Sequence, residues 1–86
     1  MPEISRFFGV VIAMFYNDHA PPHFHARYDS HKAMIDIQTF SLMQGSLPPR
    51  VLGFVTEWAA VHRNELMEDW DLAKTRATLK PIPPLE

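Results

Sequence analysis

Cysteine is absent from the 86 residues. That excludes disulfide scaffolds, thiolate metal sites and thiol nucleophiles together, and it fits a reducing compartment. Only three glycines are present, and none belongs to a phosphate-cradling loop. Positive charge is not in excess either. Eight Lys plus Arg stand against ten Asp plus Glu, a formal net charge of −2, whereas affinity for a nucleic-acid backbone usually advertises itself globally as a basic balance. The longest apolar run, Phe7–Tyr16, is too short to span a bilayer as a helix, and no basic flank or small-residue cleavage site accompanies it. The expectation is a cytoplasmic protein without a membrane span.

What remains is an ordinary globular composition, 47% apolar and 21% charged, in a chain with room for one hydrophobic core. Single-domain organisation over residues 1–86 is expected: a strand-rich half at 1–45, a helical half at 46–77 and a proline-rich tail at 78–86. Ten aromatic residues must supply much of the burial. Phe7–Tyr16, apolar on both parities, reads as one strand covered on both faces and kinked at Gly9. Asn17-Asp18-His19-Ala20-Pro21-Pro22 halts any regular element.

His23–Tyr28 and Lys32–Gln38 alternate strictly and read as a hairpin with Ser30-His31 as its loop. This register places Phe24, Ala26 and Tyr28 opposite Ile37, Ile35 and Ala33 on a core face. His23, His25 and Arg27 then lie opposite Gln38, Asp36 and Met34 on the other. A short fourth strand is expected between Thr39 and Gly45. Ser46-Leu47-Pro48-Pro49 has the hydroxyl and prolines of a helix start. From there Val51, Val55, Trp58, His62, Leu66, Trp70 and Ala73 recur at spacings of three and four, a continuous helical stripe. One rod over 49–76 would measure about 42 Å, against a domain width of roughly 30 Å. A break near His62-Arg63-Asn64 is therefore expected, with Asn64 as the second N-cap. The fold class is α+β, a small antiparallel sheet of three or four strands covered by a C-terminal helix or kinked helix pair.

Three histidines fall within seven residues at His19, His23 and His25. His23 and His25 share a strand face, so both rings can approach one metal ion, with His19 folding back over Pro21-Pro22 as third ligand. Imidazole ligands suit zinc or another divalent transition metal better than calcium or magnesium. Asp36 is the expected partner that orients His25. Without a metal, His23 and His25 could act as general base and acid, with Arg27 stabilising a phosphate and Tyr28 or Lys32 assisting, a ribonuclease-like constellation. Arg6, Arg27 and Lys32 would make a locally basic face. The plainer alternative is a rigid Pro-Pro turn whose histidines bond backbone carbonyls, with His25–Asp36 a mere cross-strand polar pair. His31 reads as a solvated tip, and His62 as a core histidine on the stripe. Glu57 and Asp69, each beside a tryptophan, read as solvated or interface acids.

Ile4-Ser5-Arg6-Phe7-Phe8-Gly9, Asn17-Asp18-His19 with Pro21-Pro22-His23-Phe24-His25-Ala26-Arg27-Tyr28, Ile35-Asp36-Ile37, Gly45-Ser46-Leu47-Pro48, Glu57-Trp58 and Pro84-Leu85 resemble the small bacterial family described as domain of unknown function 4160. The resemblance implies a compact protein encoded beside a second small family, domain of unknown function 2442, in pairs like toxin–antitoxin modules. It supplies no catalytic residues. Three functions follow as expectations: a histidine-dependent ribonuclease-type toxin, a non-enzymatic binding module such as an antitoxin, and a histidine-rich divalent-metal-binding protein. The partners to consider are the neighbouring gene's product, RNA, and a second copy docked on an uncovered sheet edge.

Overall fold

The computed structural model describes residues 2–86. Five strands come first: β1 (Glu3–Phe7), β2 (Val10–Ala13), β3 (His23–Tyr28), β4 (His31–Asp36) and β5 (Leu42–Gly45). Two helices follow, α1 (Pro49–Val61) and α2 (Arg63–Lys74). The strands pair antiparallel in chain order, so each connection is local.

The fifth strand comes from a turn where the sequence suggests a kink. Phe8 (φ 48°) and Gly9 (φ 81°) both adopt left-handed backbone, the pattern of a type I′ hairpin. Phe7 therefore faces Val10, and the expected single strand is a hairpin. Gly9 announces such a turn; Phe8, a bulky residue at positive φ, does not.

The β3–β4 hairpin also closes one residue earlier than the alternation suggests. Its loop is Asp29-Ser30, with Asp29 at φ 53°, and Tyr28 faces His31. Each pair is thereby displaced by two positions. Phe24 meets Ile35, His25 meets Met34, Arg27 meets Lys32, and Asp36 faces His23 rather than His25. A two-residue displacement preserves parity, so the core face survives intact. Asp tolerates left-handed backbone and forms such loops readily, which explains why Asp29 leads the turn.

β5 pairs Gly45 with Ala33 and Gln44 with Met34. Gly45 sits at φ 81°, and a Cβ there would lie 2.0 Å from the Lys32 carbonyl oxygen; no other residue fits. Leu42 to Gly45 are all exposed.

The helical stripe breaks where compactness demands. His62 (φ −110°, ψ 24°) ends α1 and precedes α2, so the second cap is His62, not Asn64. Its Nδ1 lies 2.5 Å from Glu65 Oε1, which ties the break to the first turn of α2. At the other end Pro48 is the N-cap of α1 and no side chain caps it; Ser46 does not serve. The molecule measures 33 × 25 × 22 Å, shorter than the unbroken rod.

Trp58 centres the core, with its ring 5.3 Å from Phe7 and 5.8 Å from Phe24. Ile12, Ile35, Ile37, Val55 and Leu66 are fully buried around it. The proline-rich tail packs on this body. Ile82 is buried, its N–H donates to the Ile4 carbonyl at 2.8 Å, and Trp58 Nε1 donates to the Pro83 carbonyl at 2.8 Å. Asp69, expected at the surface, is buried. Its Oδ1 accepts the Lys80 backbone N–H at 2.8 Å, while Oδ2 has no partner.

Candidate functional site

The histidine motif occupies the start of β3 and the loop before it. That loop cannot form helix or strand, because Pro21 and Pro22 fix two φ angles and supply no N–H; the Ala20–Pro21 peptide is cis. Asn17, at φ 52°, donates its N–H to the Ala73 carbonyl of α2 at 3.0 Å. The end of a distant helix thus fixes the place from which Asp18 reaches back.

Asp18 is the centre of the cluster. Its Oδ2 lies 2.9 Å from His23 Nε2 and 3.3 Å from His25 Nε2, and Oδ1 accepts the His19 backbone N–H at 2.9 Å. Among the described residues, Asp18, His23 and His25 offer three ligand atoms, all within 4.8 Å of one another. The side chain of His23 is 0% exposed, that of Asp18 16% and that of His25 23%. His19, the expected third ligand, is 81% exposed and lies against Asp18 Oδ1 at 3.0 Å. The structure therefore gathers Asp18 with the two strand histidines, while the His19 ring stands beside that of His23, centroids 5.9 Å apart, outside this group of three.

Asp36 does not orient His25. Its Oδ1 accepts the backbone N–H groups of Gln38 (2.7 Å) and Thr39 (2.9 Å), forming the turn before β5. The ring of His23 is held instead by the Pro21 carbonyl, 2.8 Å from Nδ1. A carbonyl only accepts, so Nδ1 carries a proton. Nε2 then meets the Asp18 carboxylate either as the second N–H of an imidazolium or as a lone pair with a metal cation between them. Trp70 of α2, with its ring 5.2 Å from that of His23, closes the buried side.

Burial pushes the Asp18 carboxyl up. The His19 N–H, the His25 ring and the interactions with His23 outweigh it and hold the acid below its ordinary value. His25 is also lowered, first by burial, with the charge on His23 adding and Asp18 opposing. Their contact thus strengthens the acid without raising the base, because desolvation of the ring wins.

On the outer sheet face His25 borders a groove of about 460 Å³ lined also by Phe15, Lys32, Met34 and Gln44. A smaller recess of about 120 Å³ continues past Phe15 and His25 to Arg27 and Lys32. Arg27 is exposed there, as the sequence suggests. Tyr28 lies on the opposite, core-facing side and packs against the core. Arg6 is engaged by Glu3, with Nε and a terminal guanidinium nitrogen at 3.2 and 2.7 Å from its carboxylate, so the basic face reduces to Arg27 and Lys32.

Sheet, helix pair and histidine–aspartate cluster define a small α+β protein with one polar centre at the end of its middle strand. The chain belongs to the family described as Domain of unknown function (DUF4160), whose model matches residues 9–71. That span contains the whole cluster, the outer-face groove and most of α2. No curated protein and no solved structure matches the chain.

Proposed function

We propose that the protein binds a divalent transition metal through Asp18, His23 and His25, a two-histidine, one-carboxylate centre open on the groove side. The carrying observation is the meeting of Asp18 Oδ2 with both Nε2 atoms, while His23 Nδ1 is already committed to the Pro21 carbonyl. A second ring nitrogen bonded to a carbonyl is the usual support of a metal-bound imidazole. Two nitrogens and a carboxylate favour zinc or iron(II) over calcium or magnesium. Three protein ligands leave positions for water or substrate, and a metal so held supplies a Lewis acid and an acidified water.

The metal-free reading, with His23 and His25 as a base–acid pair, is disfavoured by burial. The His23 side chain has no exposure and both of its nitrogens are engaged, so it cannot trade protons with a substrate. Within the two-gene arrangement that the family resemblance suggests, an open centre of this kind suits the effector rather than the neutralising partner.

Zinc titration followed by calorimetry tests the centre. One ion per chain should bind, and Asp18→Asn or His25→Ala should weaken binding by more than about tenfold, the least that losing even a supporting hydrogen bond costs. His19→Ala should leave affinity unchanged. No uptake of zinc, manganese or iron(II) by the folded protein sinks the proposal, and dependence on His19 but not Asp18 redraws the ligand set.

A further inference from the structure

Arg27 and Lys32 stand directly opposite each other on β3 and β4. Both are exposed, and among the described residues neither side chain makes an ion pair or hydrogen bond. Glu3 feels the charge of Arg27 but is itself paired with Arg6. Like charges directly opposite across two strands repel and destabilise the pairing. A small domain with ten acidic residues nonetheless leaves this pair uncompensated.

The pair has a place as well as a charge. Lys32 lines both recesses of the outer face and Arg27 the smaller, and His25 lines both. Arg27 follows His25 by two residues on the same face, a separation of about 7 Å along the strand. Phe15 walls both recesses at 37% exposure, and Tyr16 follows it at 41%. Phe15 is braced by His25, the ring centroids lying 4.3 Å apart. Cations, an open trough and exposed aromatic faces together are the elements that hold an unpaired strand: charge for the phosphates, rings for the bases.

We propose that the outer-face groove binds single-stranded nucleic acid, with a phosphodiester seated between Arg27 and Lys32 and a base on Phe15. This deepens the metal reading, on which it rests only for the role of the His25 end. The global charge of −2 is no obstacle, because it is the local field that steers a polyanion. An open trough walled by an exposed aromatic ring also fits a chain passing through better than a small enclosed ligand.

A fluorescein-labelled oligouridine, titrated with zinc-loaded protein and read by anisotropy, tests the site. Arg27→Glu and Lys32→Glu should each weaken binding at least about tenfold, and the neutral Arg27→Gln and Lys32→Gln should each remove roughly 0.7 from the logarithmic salt slope. Both positions changed are exposed, so circular dichroism should be unaltered, and zinc affinity measured separately should be retained. Equal binding by wild type and charge-reversed protein overturns the proposal, as does no binding at all. Equal competition by oligoglutamate overturns it in favour of an acidic peptide. Inorganic phosphate competing as well as the oligomer overturns the polymer in favour of a small ester. Zinc bound without oligouridine leaves the metal reading standing alone. Arg27-dependent oligouridine binding by a protein that takes up no zinc leaves this one standing alone.

Discussion

His23 and His25 are two positions apart and carry the same side chain, yet their surroundings assign them different work. His23 is fully buried between Trp70, Pro21 and Asp18. Replacing it with Ala leaves a carbonyl and a carboxylate without partners and opens a cavity, a cost of about 2–4 kcal/mol. His25→Ala removes a part-exposed ring and should cost less than about 1 kcal/mol. Urea denaturation of the two variants checks this, and equal losses would contradict the burial argument. In consequence His25, not His23, is the position at which function can be removed without removing the fold. Both histidines were legible in the sequence, because period two places them on one face. Asp18 was not. It stands in an irregular loop where no period says which way a carboxylate points, and its only sequence signal is an acid five residues ahead of a strand histidine. His19, with the more obvious ligand chemistry, turned out to face solvent.

At the scale of elements, the tail is the least expected contributor. Residues 80–86 run without secondary structure, yet Ile82 is buried and Asp69, Trp58 and Ile4 each hold the tail by a hydrogen bond. Burying Asp69 has a pH signature. Desolvation raises its carboxyl above the ordinary 3.8, assisted by Glu68 and Glu65, against the Lys80 N–H and ammonium, which lower it. Native protein therefore holds this proton more tightly than unfolded chain. The Asp69 contribution falls as pH rises from the unfolded value through the raised folded value, and is constant above it. Asp69→Asn keeps an acceptor for Lys80 and abolishes the titration. The stability of Asp69→Asn relative to wild type should thus rise as pH climbs from about 4 and then level off, measured by urea midpoints. A difference that stays flat, or falls, would mean that the carboxylate is not desolvated in solution. Acids beside helical tryptophans read as solvated because spacing places Asp69 off the stripe. Only the tail covering that flank of α2 makes it internal.

At the scale of the molecule, the layers divide the labour. One sheet face and the stripes of α1 and α2 make the core; the other face carries His25, Arg27, Lys32 and the groove, and α2 reaches it at the His23 end through Trp70. No helix among the described residues is long and apolar enough to cross a membrane. If the chain is the effector of a two-gene pair, inducing it without its neighbour should arrest bacterial growth, and folded His25→Ala should relieve the arrest. Normal growth with abundant folded wild type would move the assignment to a binding partner.

The α+β class, the two faces of the β3–β4 hairpin and the break after α1 were determined by the sequence alone. Each follows from a local rule: period two, period 3.6, or a rod too long for the domain. Strand count and register turned on single residues at positive φ, Phe8 and Asp29, whose conformations average propensity does not disclose. The identity of the third member of the cluster, the burial of Asp69 and the docking of the tail were decided only in three dimensions. In each case a side chain or backbone group is placed by a partner distant in the chain: Asp18 through Asn17 on Ala73, Asp69 through Lys80, and Trp58 through Pro83. Contacts of that kind arise when elements assemble, and they leave no periodic trace in the order of residues.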